Sequence, residues 1–129
     1  MSNTNKNSKK EFQLRGKKSD QGADLGAFVF GKVQPQAMAL EEAVLGAIML
    51  DKDALPVIID ILSKESFYTE VHQAIYTSML RLFEKSHPVD LLTVTEELRK
   101  SAELEKIGGP YYLVELTNRV ASAANIEYH

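Results

Sequence analysis

The sequence contains no cysteine and no tryptophan, and it has only 7 glycines and 4 prolines among 129 residues. Without cysteine the chain can form no disulfide, no thiolate metal site and no thiol nucleophile, and a secreted origin is less expected. Long apolar runs are missing as well. The longest, residues 43–50, is far shorter than the roughly 18 residues of a membrane span. No apolar stretch follows Met1, so the sequence predicts neither a signal peptide nor contact with a membrane, and it favours a cytoplasmic protein.

Charge is distributed unevenly along the chain. Residues 1–34 carry 7 Lys and Arg against 3 Asp and Glu, whereas residues 35–129 carry 8 against 15. A basic arm therefore precedes an acidic body, and 44% apolar residues are enough for one packed core. Because nucleic-acid binding draws on Lys and Arg that neutralise phosphates, we expect no strong direct DNA binding by the body.

The arm is predicted to occupy residues 1–32 and the folded domain residues 33–129. Residues 1–22 have only Phe12 and Leu14 as bulky apolar groups, too few to offset the entropy of ordering, so they are predicted to be disordered. Residues 25–33 place aromatic and β-branched residues between glycines. Whether they pack on the body stays open.

From Met38 onward the apolar spacing is helical and predicts an all-α fold, a compact bundle of five to six short helices. The expected inward stripe of the first helix is Leu40, Val44, Ala47 and Ile48, with Leu45 and Met49 beside it. The third helix, residues 70–85, is expected to bury Val71, Ile75, Met79, Leu82 and Phe83. Four residues are predicted helix caps: Asp53 for residues 54–62, Thr69 for the third helix, Asp90 for the fourth and Ser122 for a sixth. A fifth helix is predicted from Pro110, after a Gly108-Gly109 break, to about Arg119.

A phosphate-loop-like string occurs in the arm, where Gly26, Gly31 and Lys32 have the spacing of a nucleotide-binding loop. Its context does not fit, because Val33 stands where a Ser or Thr must hold magnesium and Pro35 interrupts the helix that should follow. We therefore predict no nucleotide site, and no cofactor, in this chain.

Histidines and carboxylates suggest no catalytic or metal site. A zinc site on a helix needs a second ligand four residues away, and His72 has no histidine or carboxylate at that spacing. His72 is therefore expected at a helix edge, hydrogen-bonded to the backbone. His87 and His129 are expected to be exposed to solvent. The neighbouring pairs Glu41-Glu42 and Glu96-Glu97 do not share a helix face and are expected to be solvated, as are Glu103 and Glu105. The chain is accordingly predicted not to be an enzyme.

The first turns of the predicted fifth helix contain more bulky side chains than one face of a helix can bury. Leu113, Leu116 and Val120 share a face, which leaves Tyr111 or Tyr112 nearer the rim. A tyrosine at the rim of the core is typical of protein interfaces. The equal alternative is that both tyrosines simply cover the core. The candidate partner-binding residues are Tyr111, Tyr112 and Glu115.

Five strings in this order and spacing resemble the amino-terminal domain of bacterial replicative DNA helicases of the DnaB type. They are residues 41–51 (EEAVLGAIMLD), Phe67-Tyr68 with His72 and Ile75-Tyr76, residues 88–94 (PVDLLTV), Gly108-Gly109 with Tyr112-Leu113, and residues 122–126 (SAANI). The resemblance covers residues 33–129 and leaves the arm unmatched.

The resemblance implies a domain of a hexameric ring helicase, in which amino-terminal domains form a collar. Its implied partners are other helicase subunits, the carboxy-terminal domain of primase and, in some systems, a loader protein. ATP and magnesium belong to a motor domain that would follow this chain, as would most of the helical hairpin through which collar domains pair. The rival hypothesis is an independent helical adaptor, or a nucleic-acid-associated protein that binds through its basic arm.

Overall fold

The computed structural model describes residues 35–127, and side chains up to residue 124. The predicted arm and the phosphate-loop-like string lie outside these residues. The described part contains five α-helices and one short 3-10 helix: α1 (Pro35–Leu50), α2 (Ala54–Ile58), the 3-10 helix (Lys64–Ser66), α3 (Glu70–Glu84), α4 (Leu91–Lys100) and α5 (Gly109–Glu127). The all-α prediction is confirmed.

Helix α1 begins at Pro35, three residues before the predicted start, because the fixed φ of proline suits the first turn of a helix. The predicted inward stripe is wrong for Leu40, which is 65% exposed. The prediction is confirmed for Ile48, which forms the core face together with Leu45 and Met49. Since α1 carries apolar residues around its whole circumference, periodicity alone did not distinguish the two faces.

Helix α2 is shorter than predicted, and Asp53 does not cap it through its side chain. Asp53 has helical backbone angles, and its N–H donates to Oδ1 of Asp51 at 2.9 Å. After Ile58 the chain tightens into a turn in which the Ile61 N–H donates to the Ile58 carbonyl. Asp53 does not act as a side-chain cap because its backbone is helical, whereas a capping residue normally has extended φ and ψ.

Helix α3 runs through the core, and its N-cap is confirmed because the Thr69 side chain accepts from the His72 N–H. The buried face of α3 consists of His72, Ile75, Tyr76, Ser78, Met79 and Leu82. Phe83, predicted to face inward, is 40% exposed near the end of the helix. The chain then reverses at Ser86, whose φ of 59° is left-handed.

The predicted Asp90 cap of α4 is confirmed, and a return bond to Thr93 makes it a reciprocal capping box. The Thr93 N–H donates to Oδ1 of Asp90 at 2.9 Å, and the Asp90 N–H donates to the Thr93 hydroxyl at 2.9 Å. The inward residues are Val94 and Leu98, together with Glu97, whose predicted solvation is wrong. The hydrogen bond from Arg81 holds the pKa of Glu97 below its usual value, although desolvation acts in the opposite direction.

Helix α5 is one continuous element, so the predicted end near Arg119 and the predicted new helix capped by Ser122 are wrong. No glycine or proline occurs after Pro110, and the alanines around Ser122 favour the helix. The Gly108-Gly109 break before it is confirmed, since both glycines have positive φ, 108° and 77°.

Helices α1 and α5 approach closely at Gly46. A Cβ atom built on Gly46 would overlap the carbonyl oxygen of Leu116 and would lie 2.8 Å from Cγ2 of Val120. Because the nearest obstacle is backbone, it cannot rotate away. Glycine at this position is thus what allows the two helices to touch.

Replacing Gly46 with alanine is predicted to destabilise the protein by about 2 kcal/mol or more, as overpacking against backbone does. Helix propensity alone predicts the opposite sign, a gain of about 1 kcal/mol. Urea unfolding followed by circular dichroism measures the change. The matched control is Ala43→Gly on the exposed side of the same helix, for which a loss of about 1 kcal/mol is expected. A Gly46→Ala variant as stable as the parent chain would contradict the close approach.

Replacing Asp90 with alanine is predicted to cost about 1 kcal/mol, because the variant leaves the Thr93 N–H without its acceptor. Asp53→Ala should cost much less, since Asp53 precedes a helix without capping it through its side chain. Thermal and urea unfolding of both variants test this contrast. Equal losses would show that the Asp90 capping box contributes nothing specific.

Candidate functional site

A buried polar cluster joins three helices, and His72 is at its centre. His72 is 1% exposed, so its predicted place at a helix edge with a backbone partner is wrong. Its Nδ1 lies 2.7 Å from Oε1 of Glu41 on α1, and its Nε2 lies 2.7 Å from the hydroxyl of Tyr112 on α5. One imidazole therefore connects α3 to both α1 and α5.

The partner on α1 assigns one proton of His72. A carboxylate only accepts, so Nδ1 of His72 donates to Glu41. The Tyr112 hydroxyl is within hydrogen-bond distance of Nε2 of His72, and it also donates to Oε2 of Glu42 over a longer distance, 3.5 Å. The second oxygen of Glu41 accepts the Tyr68 N–H at 2.9 Å, which adds the loop before α3 to the cluster. Each polar atom of the His72 ring is thereby satisfied.

Tyr112 is half-buried, and its ring lies nearly parallel to the His72 ring, with centroids 6.1 Å apart. Burial, with a further contribution from the nearby Glu42 carboxylate, raises the pKa of Tyr112 to about 12. This side chain is thus a structural member of the cluster, held in its neutral form. Of the two alternatives considered for the tyrosines, an interface or a cover for the core, Tyr112 follows the second, because it packs against the core.

Tyr111 points away from the core and is 72% exposed. Glu115 lies one helical turn further along α5, and Oε1 of Glu115 is 3.7 Å from Nη2 of Arg119. Arg119 in turn donates to Glu42 on α1. Tyr111 and Glu115 therefore present an accessible aromatic ring and a carboxylate on a helix whose first turns are fixed by the His72 cluster.

Sequence reasoning missed the His72 cluster because its members are 31 and 40 residues apart. One signal was available: His72 shares a helical face with Ile75, Tyr76 and Met79, all of which are core residues. A polar residue on an apolar stripe indicates a buried hydrogen-bonding group. The identity of its partners depends on which helices pack together.

Within residues 35–127, no three His, Asp or Glu side chains converge in a way that could hold a metal ion. In the same part of the chain, no helix has the length and hydrophobicity to cross a bilayer. His87 is exposed, as predicted, and His129 lies outside the described residues. The Glu41 side chain is only 15% exposed, so its predicted solvation is wrong.

Comparison with known proteins identifies the helical body. Residues 33–129 match the family described as the DnaB-like helicase N terminal domain. The chain is 57% identical over 99 residues to the replicative DNA helicase DnaB of Rhodothermus marinus, and 49% identical over 98 residues to that of Geobacillus stearothermophilus. These matches cover 77% and 76% of this chain but only 10% and 22% of the relatives, so the chain spans less than a quarter of either relative.

A solved structure has the same fold. It is a crystal structure of the N-terminal domain of DnaB helicase from Mycobacterium tuberculosis, which is 38% identical to this chain. The TM-score is 0.63, and the match covers 70% of this chain and 66% of that one.

Removing the Tyr112 hydroxyl is predicted to lower the free energy of unfolding at neutral pH. It should also make the free energy of unfolding depend less on pH in the alkaline range. Tyr112→Phe leaves Nε2 of His72 without its hydrogen-bond partner, which costs about 1–2 kcal/mol. In the parent chain the unfolded state loses the phenolic proton near pH 10, whereas the folded state keeps it until about pH 12. Stability contributed by this group is therefore complete below pH 10 and is lost as the pH rises to about 12.

Urea unfolding at pH 8, 9, 10 and 11 measures this difference, with Tyr111→Phe as the matched control at an exposed neighbour. The parent chain and the control should lose stability more steeply above pH 10 than Tyr112→Phe does. Parallel curves for all three proteins would contradict the assignment of Tyr112 to the buried cluster.

Proposed function

Since the chain belongs to the family of DnaB-like helicase N-terminal domains, we propose that it is a non-catalytic assembly and docking module of a hexameric replicative DNA helicase. The observation that carries the proposal is the family match over the whole described body, residues 35–127. In such a protein, ATP and magnesium would be bound by a separate motor domain. Family membership favours this module over the independent adaptor considered from the sequence.

The proposed partners are other helicase subunits, the carboxy-terminal domain of primase and, where one exists, a loader protein. The proposed setting is the cytoplasm, where a bacterial chromosome is copied. The body has an excess of carboxylates, with 8 Lys and Arg against 15 Asp and Glu over residues 35–129, which favours protein partners over direct DNA contact.

Tyr111 is the proposed centre of the docking surface, with Glu115 beside it. Two observations support this choice: Tyr111 is 72% exposed, and the adjacent Tyr112 is held by a 2.7 Å hydrogen bond to buried His72. A tyrosine on a fixed helical turn requires no ordering of the backbone when a partner covers it, and tyrosine is enriched at interface hot spots. Tyr112 would contribute by holding the first turns of α5 in place, so its own substitution affects folding as well as docking.

Truncating Tyr111 to alanine is predicted to weaken primase binding by about 2 kcal/mol, roughly thirtyfold. Glu115→Gln should weaken it less, since a charge at an exposed rim contributes little. Titration of the labelled chain with the carboxy-terminal domain of primase from the same organism measures both effects. Leu92→Ala is the matched control, because Leu92 is equally exposed, at 70%, and lies on α4.

Primase binding is expected to be weak for this chain alone. The longer helicase, meaning the full-length protein proposed to contain this domain, should therefore be titrated in parallel. No detectable binding of primase by the longer helicase would overturn the docking proposal. Unchanged binding by Tyr111→Ala, with circular dichroism showing a folded variant, would overturn only the choice of surface.

A further inference from the structure

A pocket lies where the ends of α1 and α3 meet the start of α2, and we refer to it as the α1–α3 pocket. Its volume is about 450 Å³, within the roughly 300–1,000 Å³ that is typical of ligand sites. The floor is apolar and consists of buried Ile48 and Leu55 with half-buried Val89. The rim is exposed and consists of Lys52, Pro56, Phe83, Ser86, His87 and Pro88.

The charge of the α1–α3 pocket is opposite to that of the body around it. The body has 15 Asp and Glu against 8 Lys and Arg, yet no carboxylate of the described residues lines this pocket. The side chains of Lys52 and His87 at the rim have no hydrogen-bond or ion-pair partner in the described part of the chain. By contrast, Glu70 and Glu103 line the groove beside α3 that contains Lys64. The α1–α3 pocket is therefore suited to a negatively charged partner.

The nearest carboxylates in the sequence do not neutralise Lys52. Asp51 and Asp53 flank it, but neither lines the pocket, and Asp51 accepts the Asp53 N–H at 2.9 Å. Asp90 is engaged as the cap of α4, and Glu84 does not line the pocket either. A carboxylate placed over the rim would thus pair with Lys52 without first displacing another partner.

One wall of the α1–α3 pocket is held in shape by backbone hydrogen bonds. The chain reverses at Ser86, whose N–H donates to the Phe83 carbonyl at 3.0 Å, and the next N–H, from His87, donates to the Leu82 carbonyl at 2.9 Å. Pro88 follows with its fixed φ. A wall that is already formed needs little ordering when a partner binds, which favours affinity.

The rim of the pocket favours an aromatic side chain. Phe83 is 40% exposed, and aromatic rings pack on one another in offset or edge-to-face arrangements. Pro56 and Pro88 add proline rings, which aromatic side chains also contact when domains bind proline-rich segments. Val57, next to Pro56 in α2, is 62% exposed, so apolar surface continues beyond the pocket. A polypeptide segment covers such a surface better than a small molecule does.

We infer that the α1–α3 pocket binds a segment of a partner protein in which an aromatic residue lies beside aspartate or glutamate. The aromatic ring packs against Phe83 over the apolar floor, and the carboxylates face Lys52 and His87. This inference does not depend on the proposed function, because the docking residues proposed there, Tyr111 and Glu115, lie on α5.

The basic arm of this chain is a less suitable occupant of the pocket. Its apolar residues 28–30 lie close to Lys32, and residues 1–34 carry 7 Lys and Arg against 3 Asp and Glu. A segment with this charge would bring cations towards Lys52. Charge complementarity therefore favours an acidic segment of another protein.

Peptide titration followed by NMR of the whole 129-residue chain tests the inference. The probe is the pentapeptide Asp-Asp-Phe-Asp-Asp with both ends blocked, and the matched controls are Lys-Lys-Phe-Lys-Lys and Asp-Asp-Ala-Asp-Asp. The probe should shift the amide signals of residues 52–55 and 83–87, with a dissociation constant on the order of 1 mM. Both controls should bind about fivefold more weakly or less, since each lacks the charge or the ring.

Substitutions in the pocket should weaken binding of the probe. Lys52→Gln is expected to weaken it about threefold, as the loss of an exposed ion pair does. The matched control Lys64→Gln changes an exposed lysine outside the pocket and should have no effect. Phe83→Ala is expected to weaken binding about fivefold or more, whereas Leu92→Ala, at an exposed position on α4, should leave it unchanged. The amide spectrum of each variant shows whether it is folded.

Three results of the titration would overturn the inference: no binding of the probe at about 5 mM, equal binding of the lysine peptide, or binding that Tyr111→Ala abolishes while Lys52→Gln does not. A fourth contrary result comes from the full chain without peptide. If the combined substitution Phe28→Ala and Phe30→Ala shifts the same amide signals, the arm occupies the pocket and a partner segment does not.

Discussion

The hydrogen bonds of one buried imidazole connect three helices of the described body. His72 is 1% exposed, and a buried polar ring is tolerated only when both of its nitrogens have partners. Glu41 and Tyr112 supply those partners from α1 and α5, so the penalty for leaving the ring unsatisfied constrains the position of both helices. Packing alone would allow these helices to slide, whereas two directional bonds of 2.7 Å specify one arrangement.

The close contact of α1 with α5 follows from the same constraint. With Glu41 bonded to α3, the next turns of α1 lie against α5 at a distance that only glycine at position 46 permits. Leu45 and Leu116, both fully buried, then fill the core beside this contact. The polar cluster and the tight crossing thus support one another, and α1 is the helix that both of them require.

These contacts decide which residues remain available to partners. Tyr112 is turned inward to His72, which leaves its neighbour Tyr111 outward on a fixed first turn of α5. In α1 the core face is occupied by Leu45, Ile48 and Met49, so Leu40 and Leu50 are left outside. Two accessible surfaces on different helices result, an aromatic one on α5 and an aliphatic one on α1.

The sequence by itself determined the elements whose causes are local. The caps Thr69 and Asp90 and the Gly108-Gly109 break depend on bonds within a few residues, and helical periodicity identified Ile75, Met79 and Leu82 as core. Only the tertiary structure decided that Leu40 lies outside the core, that Glu97 is buried and which residues bond to His72. Those features depend on which helices meet across 31 to 40 residues of chain, and neither propensity nor spacing encodes such distant contacts.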